Sequence, residues 1–311
     1  MRKDYSPLQG CFQIISTSFF NNFIELKVQD NRIEAMDFFI KTSLSDVYEG
    51  AELDAIRFLM YRHFCGLSRT DLLSKKVSRL TEGEMVKFFK AIKRLKKNEP
   101  IQYILGETDF CDLRIQVNSS VLIPRPETEE LVKLVCNENV QKQLSVIDIC
   151  TGSGCIPIAL KKFNPDWKIS ALDKFEACIN VAVANAKNHD LQIQFFKADI
   201  FDFSSPEKFD IIISNPPYVA QSEKYNMNEN VLNFEPHSAL FVDDEDPLVF
   251  YAKILKIGNE QLNENGKIYF EINPKYAKEL LKLAEIEGYG NIRLINDIFG
   301  KERFLVTELK K

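Results

Sequence analysis

The stretch Val146–Leu160, VIDICTGSGCIPIAL, decides how this chain folds. Val146, Ile147 and Ile149 read as a buried strand, and Thr151-Gly152-Ser153-Gly154 breaks it. Ile156 to Leu160 then read as a helix with a proline in its first turn. Glycines at the carboxyl end of a strand, just before a helix, let the backbone turn tightly and come close to a ligand. Asp148 stands among isoleucines, where a carboxylate needs a polar partner. The dinucleotide pattern G-x-G-x-x-G is not met, because Pro157 occupies the place of its third glycine.

Strand and helix patterns alternate from there to the end. KISALDKF is a strand ending in Asp173, 25 residues past Asp148, where a carboxylate can accept from both hydroxyls of a ribose. EACINVAVANAKNHD is a helix, and IQFFKADIF is a third strand. It carries Asp199, placed to receive an adenine amino group, and Ile200, placed to pack on the ring. FDIIISNPPY is the fourth strand, PLVFYAKILKIGNEQL a helix, NGKIYFEIN the fifth strand and KYAKELLKLAEIEG a helix. NIRLINDIFGKERFLVTEL closes the series with two strands about Gly300. Such a series predicts an α/β fold with a mostly parallel sheet covered on both faces and an antiparallel pair at the end.

The fourth strand runs into Asn215-Pro216-Pro217-Tyr218. The prolines stiffen the corner and remove two N–H donors. The Asn215 amide oxygen and the Pro216 carbonyl remain as acceptors, beside the Tyr218 ring. Two acceptors and a flat ring suit a planar NH2 group, whose nitrogen is held while positive charge grows on it as a methyl arrives.

Upstream, residues 36–97 read as a small helical bundle. Leu53, Ile56, Leu59 and Met60 form one apolar stripe, ending at Gly66. Met85, Phe88, Phe89 and Ile92 form another, behind a Thr81–Glu84 capping box; Ser68 is a candidate cap. Tyr61–Pro100 holds 11 Lys or Arg against 4 Asp or Glu. CDLRIQVNSSVLI alternates as a hairpin strand, and Pro126, Glu127 and Glu129 suit the start of a helix. The expected divisions are 1–97 for an N-terminal extension and helical substrate-docking domain, 98–123 for a β-hairpin linker, and 124–311 for a catalytic domain. Residues 1–35 show no firm period, and Met36 offers an alternative start.

The 311 residues carry a net charge of -5, which disfavours generic nucleic-acid binding. No signal peptide or membrane span is expected, and the location expected is cytoplasmic. Seven scattered cysteines without a C-x-x-C pair, and only three histidines, give no metal pattern; free thiols are expected.

The glycine loop, Asp173 and Asp199 resemble the Rossmann-like class I S-adenosylmethionine-dependent methyltransferases, in which a reversed seventh strand lies between strands five and six. PIQYILGETDFCDLRIQVNSSVLIPRPETEELV, DICTGSGCI, SNPPYV and NFEPHSALF resemble, in order and spacing, the protein-glutamine methyltransferases of translation termination, the PrmC/HemK family. The likeness runs from about Met36 to the end, and the Ile123–Glu129 run is its most specific part. It implies methylation, with S-adenosylmethionine, of the side-chain N5 of the glutamine in the Gly-Gly-Gln motif of peptide chain release factors 1 and 2. A monomer is expected, with no stable nucleic acid and no metal.

The cofactor site so implied comprises Phe110, Pro124, Arg125, Asp148, Thr151, Gly152, Ser153, Gly154, Cys155, Asp173, Asp199, Ile200 and Asn215. The catalytic residues implied are Asn215, Pro216, Pro217 and Tyr218, with Tyr218 walling the glutamine slot and Glu235-Pro236 closing the outer wall. The family has Glu-Ile-Gly on strand five where this chain has Glu271-Ile272-Asn273, which puts the backbone after Glu271 in doubt. A DNA N6-adenine methyltransferase is the alternative, since it also clamps an amino group after extruding a base. A docking module without activity leaves these polar residues unexplained. Pro157 disfavours an NAD(P) oxidoreductase.

Overall fold

A computed structural model describes residues 30–74, 77–141 and 143–310. Residues 1–29, Cys11 among them, lie outside the described residues. The chain divides into two compact units between Leu105 and Gly106.

The first unit is helical: α1 Ile33–Leu44, α2 Gly50–Cys65, α3 Arg69–Leu73, α4 Glu82–Leu95 and α5 Ile101–Leu105. The expected caps form. The Ser68 side chain accepts from the Asp71 amide, and Thr81 and Glu84 close a reciprocal capping box on α4. α2 stops at Gly66, whose φ of 67° turns the chain out of the helix. Met36, Ile40, Met60, Tyr61, Phe88 and Leu95 are fully buried and form the core. Met36 lies inside α1, and Ile33, a turn earlier, packs into the same core. The lysines at 87, 90, 93, 96 and 97 are exposed. Arg94 is different: its guanidinium pairs with Glu99 at 2.5 and 2.7 Å and reaches the Tyr103 and Ile104 carbonyls. It therefore braces the end of the unit.

The second unit opens with the hairpin β1 Glu107–Phe110 and β2 Leu113–Gln116, then α6 Pro126–Glu138. The alternating series follows as β3 Ser145–Ile149, α7 Cys155–Phe163, β4 Lys168–Asp173, α8 Glu176–Asn188, β5 Gln194–Lys197 and β6 Phe209–Ser214. A short pair, β7 Val219–Ala220 and β8 Phe241–Val242, flanks α9 Glu229–Phe234. The unit ends with α10 Val249–Gln261, β9 Leu262–Glu271, α11 Ala277–Ile286, β10 Tyr289–Asn296 and β11 Glu302–Leu309.

Seven strands form one sheet in the order β10-β11-β9-β6-β3-β4-β5. β9, β6, β3, β4 and β5 run parallel, and β11 lies antiparallel between β9 and β10. This is the mixed sheet with a reversed strand expected from the sequence. Ile147, Ile149, Ile212, Ile268 and Phe270 pack on one face against Tyr251, Ile254 and Leu255 of α10 and Leu280 of α11. Val146, Ile211 and Ile213 alternate with them, point the other way and are also buried. Both faces are therefore covered, as continuous apolar strands require. The chain leaves β3 toward β4 and β5, then returns to place β6 on the other side of β3. The crevice at the carboxyl ends of β3 and β6 is where open sheets of this kind bind ligands. Among the described residues, no helix is long and apolar enough to cross a membrane.

Candidate active site

The glycine turn after β3 is held by its neighbours. The Thr151 amide donates to the Leu172 carbonyl of β4 at 3.0 Å. The Gly152 amide donates to Asp173 Oδ2 at 2.9 Å, and the Phe175 amide donates to Asp173 Oδ1 at 3.0 Å. Asp173 is thus locked at the end of β4, with lone pairs left on both oxygens. Burial raises its pKa, against the lowering effect of these amides.

The two glycines serve different ends. Gly152 has φ 55°, and a Cβ there would meet nothing within 4 Å. Gly154 has φ 78°, and a Cβ there would lie 2.9 Å from Ala182 Cβ and 3.1 Å from Ala182 Cα, so it lets α7 approach α8. Asp148 is fully buried behind the turn, and neither carboxylate oxygen has a hydrogen-bond partner. Burial pushes its pKa up to about 8; the nearby Thr151 hydroxyl, itself buried and unpaired, pulls the other way.

A cavity of about 260 Å³ opens over this turn. Thr151, Gly152, Ser153, Cys155, Asp173, Asp199 and Ile200 line it, with Pro124, Arg125, Asn215 and Pro217 on another side. Phe175, Phe201 and Phe250 complete an aromatic wall, the last two with ring centroids 5.5 Å apart. Asp199 is engaged by Lys174 at 2.8 Å and by the Phe201 amide at 3.1 Å, and the Lys174 ammonium lowers its pKa. A smaller cavity of about 50 Å³ adjoins, bounded by Leu122, Arg125, Asn215, Tyr218, Leu240 and Glu271. Arg125 and Asn215 belong to both walls.

The corner after β6 is tied to buried neighbours. Ser214 Oγ donates to the Ile149 carbonyl at 2.6 Å, which fixes the end of β6 beside β3. Asn215 Nδ2 donates to Thr128 Oγ1 at 3.2 Å, and that hydroxyl donates to Glu271 Oε2 at 2.7 Å. The Tyr218 hydroxyl donates to Glu271 Oε1 at 3.1 Å. Asn273, two residues beyond Glu271, has an ordinary φ of -77°. Its amide reaches the Tyr218 carbonyl and Glu223, and its oxygen caps the Lys275 amide. The backbone after Glu271 therefore needs no glycine. On the opposite wall, Arg125 Nη2 meets Glu235 Oε1 at 2.6 Å, and Glu235 Oε2 accepts from the Ile123 amide at 3.2 Å. Pro236 leads into a short turn, where His237 bonds the Leu232 carbonyl and packs edge-on against Phe241.

Residues 40–106 match a family described as the PrmC N-terminal domain, and residues 127–238 match the methyltransferase small domain. Two solved structures share the fold at a TM-score of 0.50: the hMettl16 catalytic domain, at 17% identity over 74% of this chain and 82% of its own, and the METTL16 MTase domain, at 18% over 70% and 97%. A release factor glutamine methyltransferase from Bacteroides thetaiotaomicron is 44% identical over 89% of this chain and 99% of its own length. The chain belongs to the release factor glutamine methyltransferase family. Relatives with the same description from Flavobacterium psychrophilum and Streptococcus pneumoniae are 39% and 41% identical, over 86% and 84% of this chain and 96% and 94% of theirs.

Within this member of the family, the residues singled out in the sequence do not all reach the cavities. Phe110 is buried at the end of β1, opposite Leu113, and is not in either wall. Asp148 sits behind the glycine turn, Gly154 serves helix packing, and Pro216 is buried at the corner. Tyr218 lines the smaller cavity only. Sequence reasoning missed Thr128, Glu271 and the Arg125–Glu235 pair. The signals were present: Thr128 interrupts the buried stripe Leu131, Val132 and Val135 of α6, and Glu271 ends the apolar run of β9. A polar group on an apolar face marks a buried partner.

Proposed function

We propose that this methyltransferase modifies the side-chain amide of the glutamine in the Gly-Gly-Gln motif of class-I release factors, with the Asn215 corner as the amide clamp. S-adenosylmethionine is the methyl donor, and when bound it supplies a methyl group on a positively charged sulfur, open to displacement. The residues of the larger cavity suit it. The space beside Gly152 admits a ligand against the backbone, Asp173 has acceptors for a diol, and Phe175, Phe201 and Phe250 offer an apolar wall for a ring.

The observation that carries the reading is the Asn215 amide. Its NH2 end is committed to Thr128, which leaves the oxygen as an acceptor on the wall common to both cavities. Asn215 Oδ1 takes one N–H bond of the substrate amide; Pro216, whose carbonyl the sequence offers as the second acceptor, lines neither cavity. The Tyr218 ring walls the slot. With S-adenosylmethionine bound, the held amide nitrogen would accept its methyl group, and one N–H proton of the substrate amide would leave to water. The acceptor favours the positive charge that grows on nitrogen, and no strong base is needed before the transfer. The lysines at 87, 90, 93, 96 and 97 give the helical unit a basic surface for a protein substrate. Transfer from labelled donor to a release factor, to its Gln→Ala variant and to duplex DNA tests the reading. Label in the first alone supports it, and label in DNA alone would mean adenine methylation instead.

A further inference from the structure

We infer that Glu271 is a positioning residue that, through Thr128, sets which end of the Asn215 amide faces the substrate, and so selects a primary amide over a carboxylate. The inference rests on Asn215 as the substrate clamp. Glu271 ends β9 and is 2% exposed. As a carboxylate it can only accept. It receives the protons of two hydroxyls, Thr128 at 2.7 Å and Tyr218 at 3.1 Å. Each hydroxyl has one proton to give. Having given it, Thr128 Oγ1 can only accept, and it accepts from Asn215 Nδ2 at 3.2 Å. An asparagine amide has one donor end and one acceptor end, so fixing its NH2 on Thr128 turns its oxygen away from Thr128. The Tyr218 oxygen is left as an acceptor by the same logic. One buried carboxylate thereby leaves the Asn215 and Tyr218 oxygens as the acceptors of this corner.

Burial raises the Glu271 pKa, and Glu127 adds to the rise; the Thr128 and Tyr218 hydroxyls, one on each carboxylate oxygen, and Arg303 pull the other way and favour the carboxylate. The Tyr251 hydroxyl donates to the Glu271 main-chain carbonyl at 2.9 Å and fixes the backbone there. With a donor in place of the carboxylate, Thr128 is free to donate to Asn215 Oδ1, the amide turns over, and its NH2 end faces the substrate. That corner would favour a carboxylate and repel an amide NH2 group.

The test uses the full chain, a release factor and four variants, Asn215→Ala among them. Thr128→Val keeps the shape and removes the hydroxyl, Thr128→Ser keeps the hydroxyl, and Glu271→Gln keeps the shape and supplies a donor. Thr128→Val and Glu271→Gln should lower kcat by about tenfold to a hundredfold, with KM for S-adenosylmethionine within about twofold of the parent. Thr128→Ser should stay within about threefold of the parent. Glu271→Gln removes a buried charge, so its Tm should match or exceed the parent's, which separates the effect from misfolding. The inference is overturned by parental kcat in both Thr128→Val and Glu271→Gln, or by equal losses in Thr128→Ser and Thr128→Val. If Asn215→Ala also keeps parental kcat, the clamp itself is wrong. If Asn215→Ala is inactive while Thr128→Val and Glu271→Gln are not, only the relay is wrong.

Discussion

Arg125 and Glu235, 110 residues apart in the chain, meet at 2.6 Å and join the Ile123–Pro126 turn to the segment after α9. The Glu235 side chain is 1% exposed and that of Arg125 is 32% exposed. Arg125→Ala leaves the carboxylate buried with the Ile123 amide as its remaining partner. Breaking a fully buried pair costs about 3–5 kcal/mol, and partial exposure of Arg125 should reduce this to roughly 2 kcal/mol. Glu235→Gln keeps an acceptor and should cost less. Urea midpoints compared at constant slope check both values, and a parental midpoint for Arg125→Ala would show that the pair holds nothing.

The two glycines of the loop should fail in different ways. Gly154→Ala puts a methyl into the α8 backbone at a positive φ and should destabilise the fold by roughly 2–4 kcal/mol. Gly152→Ala meets open space and should cost about 1–2 kcal/mol from its φ alone. Its methyl stands at the cavity wall, so affinity for S-adenosylmethionine should fall more than stability. Thermal melts and calorimetry on both variants separate the effects, and identical behaviour would refute the division of labour.

Asp173→Ala should weaken S-adenosylmethionine binding by on the order of 1.5–3 kcal/mol, about tenfold or more, by removing a charged acceptor. It also frees the Gly152 amide from the bond that holds the turn. Calorimetry that returns parental affinity would remove Asp173 from the site.

Asp148 links stability to pH. Its carboxyl holds a proton more tightly in the folded chain than in the unfolded one, with a folded pKa of about 8. Its contribution to stability is therefore complete below the ordinary carboxylate range, and is lost as pH rises from that range toward 8. Asp148→Asn should remove this dependence and gain on the order of a few kcal/mol relative to the parent above pH 8. Denaturant titrations of both proteins from pH 5 to pH 9 check the difference. Parallel curves would mean that Asp148 does not titrate differently on folding.

The parallel sheet was legible because period and punctuation agree: apolar strands, each ended by a glycine, an acid or a proline pair. Its closing reversal was legible in the two strands about Gly300. The corner at Asn215 was legible as a stiff turn rich in acceptors. What supports the corner was not, because Thr128, Asn215 and Glu271 lie on three elements, α6, the end of β6 and β9, that only the sheet order brings together. Phe110 lies in a segment that resembles the family closely, yet it is buried at the end of β1 and lines neither cavity. The pairing of Arg94 had no sequence signal apart from Glu99, an opposite charge five residues on, between α4 and α5.

If Asn215 clamps a glutamine side chain for methyl transfer, its loss must slow the transfer without weakening donor binding. The decisive measurement is mass spectrometry of a release factor incubated with S-adenosylmethionine and either the parent or Asn215→Ala. With the parent, the peptide that holds Gly-Gly-Gln should become one methylene heavier, and fragmentation should place the gain on the glutamine. With Asn215→Ala, the rate should fall by about 10²–10³, while calorimetry finds affinity for S-adenosylmethionine nearly unchanged. Parental rates of methylation by Asn215→Ala, or a methyl group on any other residue of that peptide, would contradict the claim.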